Sequence, residues 1–231
     1  MSEYRHEYKY ECSMRKIVCI KNQIETIMLP DSNVGENGVY TIRSLYFDDY
    51  SNRCFYENTN GTDPREKFRI RIYNGDISFI KLELKKKERG KTKKLSCTLT
   101  EELCQAAMYG ENLPIDAIDS PIYRKFCIQQ NIRLLTPKVI VEYDRIPFVY
   151  TDGNVRVTFD MNIRSSNQFE RFLDNKIYSR LVMPENQHIL EVKFDEYIPD
   201  FIYQSVQVEK LKQTSFSKYY LCRKYGMGGF I

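Results

Sequence analysis

Five segments of the chain alternate apolar and ionic residues. Phe68-Arg69-Ile70-Arg71-Ile72 places two arginines on one side and three apolar residues on the other, and Ile80-Lys81-Leu82-Glu83-Leu84-Lys85 repeats the arrangement with Lys, Glu and Lys. A Glu-x-Lys pair recurs near both ends, in His6-Glu7-Tyr8-Lys9-Tyr10 and Leu190-Glu191-Val192-Lys193-Phe194. Arg156-Val157-Thr158-Phe159-Asp160 follows the same rule. Residues two apart in a strand share a face, so each segment predicts one apolar face and one mainly basic face with occasional carboxylates. One such strand is an ordinary solvated face. Five suggest that the ionic faces converge on a common, highly charged ligand.

The pattern elsewhere gives the order of elements. A first strand, about Tyr4 to Tyr10, leads into a helix that Ser13 can cap, with Met14, Ile17, Lys21, Ile24 and Met28 as its stripe. Pro30 and the loop 31–38 end it. Strand-rich sequence runs from Val39 to about Leu99, broken by Asn60-Gly61-Thr62-Asp63-Pro64 and by the hairpin signal Asn74-Gly75. Lys85 to Lys94, a basic stretch around Gly90, reads as a solvated hairpin or mobile loop rather than a dedicated site. Two helices follow. A capping box over Thr98 to Glu101 opens the first and Gly110 ends it; Ser120-Pro121 opens the second, which reaches about Gln130. Strands return from Lys138 to Met161, with a turn at Asp152-Gly153. A helix around Asn167 to Leu173, a strand from Ile189 to Phe194, and helices starting at Pro199-Asp200 and Ser217 complete the chain, the last ending at Gly226. No linker, repeat or low-complexity segment divides it, so residues 1–231 read as a single α+β domain.

Composition narrows the classes. Apolar residues make up 42% of the 231, enough for a real core. The net charge of +4, from 35 basic and 31 acidic residues, does not itself demand a polyanionic partner; placement carries the argument. Seven cysteines without a CxxC pair fit free thiols in a reducing compartment, and Cys19 and Cys127, each beside apolar residues in a helical stretch, read as core thiols. No signal-peptide pattern opens the chain and no run is long enough for a membrane span. The expectation is a cytoplasmic protein with no membrane span and no additional sensor domain. Eighteen tyrosines among basic residues invite a nucleic-acid reading, but Tyr40, Tyr46 and Tyr123 sit where cores use them, and no RNA-binding signature or phosphate loop appears. We expect no nucleic-acid partner.

Two architectures suit the alternation: a sheet with one wet face, or a closed barrel whose apolar face is outward under helices and whose ionic face lines a bore. In the second, Lys9, Arg69, Arg71, Lys81, Lys85, Arg145, Arg156 and Lys193 would repel one another without an anionic ligand. Arginine forks and lysine point charges both suit phosphate oxygens. Glu7, Glu83 and Glu191 are then the natural holders of a hard divalent cation. The two histidines, His6 and His188, read as structural or exposed.

These residues carry a resemblance. The early Glu-x-Lys, the Arg-x-Arg strand, the Lys-x-Glu-x-Lys strand and the late Glu-x-Lys resemble the triphosphate tunnel metalloenzymes. Within them, Ile42-Arg43-Ser44-Leu45-Tyr46-Phe47-Asp48, Leu190-Glu191-Val192-Lys193 and Ser215-Phe216-Ser217-Lys218-Tyr219 resemble the VTC domain, the polyphosphate polymerase branch, over nearly the whole chain. The resemblance implies an eight-stranded antiparallel β-barrel tunnel with a basic interior, flanked by helices. It further implies ATP and polyphosphate as ligands, Mn²⁺ or Mg²⁺ as cofactor, and polymer growth from the γ-phosphate. Carried over position by position, Lys9, Arg69, Arg71, Lys81, Arg145, Arg156, Lys193 and Lys218 match phosphate-contacting catalytic positions. Lys85, Tyr143 and Ser217 stand beside them as substrate contacts, and Glu191 matches the metal ligand. Two positions depart from the pattern. Arg5 replaces the first acid of Glu-x-Glu-x-Lys, which favours the polymerase branch over the triphosphatases, and Ser215 replaces the first lysine of Lys-Phe-Ser-Lys. A polymerase, a triphosphate or nucleotide hydrolase in the same tunnel, and a non-catalytic polyphosphate-binding module are the three readings that result.

Overall fold

The computed structural model describes residues 4–35, 37–207 and 211–226. In chain order the elements are β1 (His6–Cys12), α1 (Met14–Ile24), β2 (Leu29–Pro30), β3 (Tyr40–Asp48), α2 (Arg53–Thr59), β4 (Arg65–Tyr73), β5 (Asp76–Glu88) and β6 (Lys91–Leu99). They continue with α3 (Glu101–Met108), α4 (Pro121–Arg133), β7 (Thr136–Tyr150), β8 (Val155–Ser166), β9 (Arg180–Leu181), β10 (His188–Phe194), α5 (Asp200–Val206) and α6 (Lys218–Gly226). Eight strands form one antiparallel sheet in the order β1-β10-β8-β7-β3-β4-β5-β6, with the two-residue strands β2 and β9 attached to β7 and β8. The sheet curls until its edges touch: Arg5 and Thr92 exchange two backbone hydrogen bonds of 2.8 Å. The architecture is the α+β barrel expected from the sequence.

Alternation decides what each face meets. Outward residues of β3–β5, among them Leu45, Phe68, Ile70 and Leu82, pack under α3 and α4 around Cys104, Tyr123 and Phe126. The outer faces of β1, β8 and β10 pack under α1 and α5 through Tyr10, Val157, Phe159, Leu190 and Ile202. A third apolar group lies inside the curl, where Tyr219 and Cys222 of α6 meet Ile42, Val141, Ile163 and Ile189. The final helix thus fills one part of the bore and leaves the rest to the ionic residues.

Local signals hold at most turns and slip where tertiary contacts intervene. Asn74-Gly75 and Arg89-Gly90 both have two consecutive positive φ angles, 51° and 72° in the first and 51° and 77° in the second, as a two-residue hairpin turn requires. Lys85 to Lys94 is accordingly ordered hairpin, not mobile loop. Ser13 caps α1 as expected, but the buried stripe is Ile17, Ile20 and Ile24, with Met14 exposed. Cys19 is also exposed rather than in the core, whereas Cys127 is buried. Thr100, not Thr98, caps α3; Thr98 belongs to β6 and accepts from Lys81. The helix expected around Asn167 to Leu173 is a single 3₁₀ turn, Phe169–Arg171.

Helix α2 lies within the stretch read as strands, because its cap is tertiary. Asp49 accepts from Arg53 N, and the fully buried Asp48 accepts from Cys54 N and Phe55 N at 2.9 and 3.1 Å. Asp48 also accepts from the Tyr219 hydroxyl of α6. One carboxylate therefore joins the end of β3, the start of α2 and the plug helix. Among the described residues, no helix is long and apolar enough to cross a membrane. Asp48→Ala, which leaves these buried donors without a partner, should cost about 3 kcal/mol or more, and Tyr219→Phe only about 1 kcal/mol. Urea unfolding of both variants checks the ratio.

Candidate active site

Inside the curl, beside α6, is a cavity of about 490 Å³. Its lining carries ten lysines and arginines against two glutamates, Glu7 and Glu191. Strand β4 supplies Arg65, Lys67, Arg69 and Arg71 at successive inward positions, and β5 supplies Lys85 and Lys87 across from them. Lys9 comes from β1, Arg145 from β7, Lys193 from β10 and Lys218 from the first turn of α6. Ser217 accepts from Tyr220 N and so caps α6, fixing where Lys218 points.

Such crowding is tolerated because carboxylates stand behind the cations. Glu83, 1% exposed, takes Arg69 at 2.6 Å, Arg71 at 3.6 Å and Lys94 at 3.1 Å. Burial alone would raise its carboxyl; Arg71, Arg69 and Lys94 outweigh that and hold it well below the usual range. Asp160, fully buried, forks onto Arg145 at 2.6 and 2.8 Å and meets Lys218 Nζ at 2.5 Å. Burial would lower the Lys218 ammonium, but Asp160 and Glu191 raise it. Lys9 is fixed by donating to Phe216 O at 2.8 Å, and Lys85 by Glu7 at 2.8 Å. The Arg69 guanidinium also donates to Tyr46 at 2.8 Å; burial would raise that phenol, yet Arg69, Arg71 and Lys67 bring it down to about 8.

Of the residues singled out from sequence, Lys9, Arg69, Arg71, Lys85, Tyr143, Arg145, Glu191, Lys193, Ser217 and Lys218 all line this cavity. Tyr143 lies beneath Lys218 and Arg145, with ring distances of 4.8 and 5.3 Å. Two residues are placed apart from it. Lys81 donates to Thr98 and lies over Phe79, and Arg156 is held by Asp31 and Tyr40 at 2.7 and 2.9 Å. Arg65, Lys67 and Lys87 also line the cavity and were not singled out from sequence, although all three continue the alternation of their neighbours. Asp160, the acid that closes the segment Arg156-Val157-Thr158-Phe159-Asp160, had no role assigned from sequence either. Glu83 is a partner for arginines, not a free carboxylate for a metal. Arg5 is spent at the sheet's seam, in a pair with Asp195 at 2.8 Å. His6 stacks on Phe194 and His188 is buried.

The family model of the VTC domain matches residues 4–225. The chain belongs to the VTC domain family. No curated protein matches this VTC domain. Among solved structures, its fold is similar to a candidate adenylyl cyclase from Hippeastrum, described as having a dominant triphosphatase activity. That match has a TM-score of 0.58 and 12% identity, over 96% of each chain. A candidate adenylate cyclase from Bacillus halodurans matches with 15% identity and a TM-score of 0.48, over 89% of this chain and 87% of the other. The VTC domain shares the fold of the Hippeastrum protein.

The tunnel family implies a divalent cation. Glu7 and Glu191 flank two shared ammoniums: Lys193 lies 3.6 and 3.2 Å from them, and Lys9 3.7 and 3.9 Å. Directly across the sheet from Glu191, the buried Thr158 hydroxyl has no hydrogen-bond partner among the described residues. No group of three or more His, Cys, Asp or Glu side chains gathers as a ready cage among them. Two carboxylates and a spare hydroxyl fit a hard cation that takes its remaining oxygens from phosphate and water.

Two pH responses of the same sign, in different windows, follow from Glu83 and Lys67. Glu83 is depressed from its ordinary 4.5, so its stabilising pairing is full above that value and lost as pH falls below it. Urea unfolding between about pH 3 and 6 should show this slope in the parent and a flatter one in Glu83→Gln, which should be about 3 kcal/mol less stable near neutrality. Burial lowers Lys67 from 10.5 to about 8, so the penalty of its buried charge is full below 8 and is relieved as pH rises from there toward 10.5. An anion bound beside it restores that charge. Calorimetry of triphosphate binding near pH 8.5 in buffers of different ionisation heat should therefore show proton uptake, reduced in Lys67→Met.

Proposed function

We propose that this VTC domain is an ATP-dependent polyphosphate polymerase, transferring the γ-phosphate of ATP to a growing phosphate chain. The observation that carries the reading is the bore itself: ten cations around a 490 Å³ space, with phosphates as the matching chemistry. Phosphoryl transfer asks for alignment and charge neutralisation more than for a protein nucleophile. The acceptor is a terminal oxygen of the chain. It forms a bond to the γ-phosphorus while the bond from that phosphorus to the β-phosphate's bridging oxygen breaks, and ADP departs with that electron pair.

Each side chain has a defined share. Arg69 and Arg71, locked by Glu83, present forks to one stretch of phosphates. Arg145 and Lys218, locked by Asp160, present charge at the α6 end, where the backbone N–H groups of the helix start add to the field. Lys9, Lys85 and Lys193 complete the circuit. Positions set in advance by ion pairs need little reorganisation as charge moves between the phosphates. A divalent cation held by Glu191 and Glu7 would supply further neutralisation of the phosphate oxygens. ATP and polyphosphate are the partners this reading implies, with Mn²⁺ or Mg²⁺ as cofactor and the cytoplasm as its setting.

Incubation of the pure protein with ATP and Mn²⁺, with products separated on a gel, tests the reading. Polymer is the expected product; orthophosphate alone supports a hydrolase in the same cavity, and neither product supports a binding module. Glu191→Gln should cut transfer on the order of a hundredfold while sparing most nucleotide affinity. Lys218→Ala should depress synthesis much more than ATP binding. Ser215 is exposed at the cavity lining, so Ser215→Lys should tighten polyphosphate binding about tenfold.

A further inference from the structure

The inner face of β5 continues past the point where the cavity ends. Lys81 stands directly across the sheet from Arg71, the last β4 arginine of the lining. Two residues before it is Phe79, whose ring lies under the Lys81 ammonium at 4.2 Å. Phe79 is 49% exposed and Ile77 40%. Pairing of β5 with β6 ends at Ile80 and Leu99, so the β4–β5 hairpin projects beyond β6. One exposed ring is ordinary on a protein surface. This one adjoins a basic cavity, and among the described residues no carboxylate lies within ion-pair distance of the cation above it. Lys81 donates to Thr98 at 2.8 Å; an ammonium has three N–H groups, which leaves two for a ligand. The hairpin tip is held in place. Asn74 accepts from Thr41 N at 2.8 Å through its side chain and donates its own N–H to Thr41 O at 2.9 Å. Tyr73 is braced edge-on against Tyr40 at 5.8 Å. A ligand arriving there meets a surface that needs little ordering.

We propose that Phe79 and Lys81 form a nucleobase platform at this end of the cavity, carrying the base and sugar of ATP while its triphosphate reaches Arg71 and Arg69. The proposal rests on the phosphate reading above for the ligand of the inner cations. Inward residues on a strand recur every ~6.7 Å. Phe79 is therefore about one step beyond the Lys81–Arg71 pair and two beyond Glu83–Arg69. A base on the ring leaves one step for the ribose and brings the α-phosphate beside Lys81, with the outer phosphates at the arginines. The ammonium takes one side of the ring, and the half-exposed remainder offers a flat ligand the other. Every base has a π-face, so stacking accepts them all. The platform thus separates a nucleotide from inorganic phosphate, not one base from another. A nucleic acid strand calls for successive rings along its track; the inward neighbours of Phe79 on β5 are Ile77 and Lys81.

Calorimetry in metal-free buffer compares ATP with tripolyphosphate on the parent protein and on Phe79→Ala. The variant should lose about tenfold on ATP, the contribution of one stacked base, and bind tripolyphosphate as tightly as the parent does. The chain contains no tryptophan, so Phe79→Trp puts a single fluorophore on the platform. ATP should change its emission and tripolyphosphate should not. Phe79→Ala should leave the melting temperature unchanged; if it falls, Phe79→Leu, which keeps apolar bulk and removes the ring, carries the same comparison. Equal losses on both ligands would overturn the proposal, as would no loss on ATP. Single-stranded RNA that changes the Phe79→Trp emission more than ATP does, at equal nucleotide concentration, would assign the ring to nucleic acid and overturn it too. A loss confined to ATP, without polymer made from ATP by the parent, leaves the platform standing and removes the polymerase reading. Polymer from the parent, with ATP affinity untouched by Phe79→Ala, does the reverse.

Discussion

Glu83 sits between Arg69 and Arg71, and Asp160 sits between Arg145 and Lys218. Both carboxylates are almost wholly buried, and each is paired with cations of the cavity lining. Without them, arginines and lysines this close would splay toward solvent, because repulsion between buried charges is poorly screened. With a carboxylate for every cation, the bore would be neutral and have little hold on phosphate. The arrangement lies between those limits: enough negative charge at the back to fix the geometry, too little to cancel the field at the front.

That compromise depends on an apolar structure around it. The sheet turns its hydrophobic face outward and needs α3, α4, α1 and α5 to cover it. Helix α6 performs the converse task, carrying apolar side chains inside the curl. Its first turn then delivers Lys218 to Asp160, so the element that fills the bore also contributes to its chemistry. Asp48 links this helix to α2 and β3 through buried hydrogen bonds. Packing of the plug and electrostatics of the site are accordingly hard to change separately.

Much of this was legible in the chain because a strand's period of two is unambiguous when ionic residues mark it. Arg69, Arg71, Lys9 and Lys193 could be assigned to one face, and the convergence of those faces followed from the family pattern. What escaped is what depends on distance between strands. Lys81 has the right parity but turns to Thr98, and Arg156 is drawn to Asp31. Neither deviation is visible without knowing who stands across the sheet. Asp160 and Glu83 looked like any other acids on an ionic face; only their burial between cations gives them a role. Helix α2 lacked a local signal because its caps come from aspartates at the end of the preceding strand. Arg65, Lys67 and Lys87 were legible in principle; the loop-like composition around Gly90 hid Lys87, and Arg65 and Lys67 directly follow the turn signal Asn60-Gly61-Thr62-Asp63-Pro64.

Among the described residues, strand β1 pairs along its length with β10 alone, apart from a single bridge from Tyr10 to Gln213; Arg5, just before it, bridges to Thr92. Among the described strands of this sheet, the one made first is therefore paired by the one made last. At roughly 5–20 residues per second, it waits on the order of ten to forty seconds for that partner to be made. During that time its tyrosines and backbone groups are open to the wrong neighbours. Helix α1, which follows directly and packs in the same apolar group, can form first and cover part of the waiting face. The order of synthesis thus gives α1 a second task, as an early cover for a strand whose barrel does not yet exist.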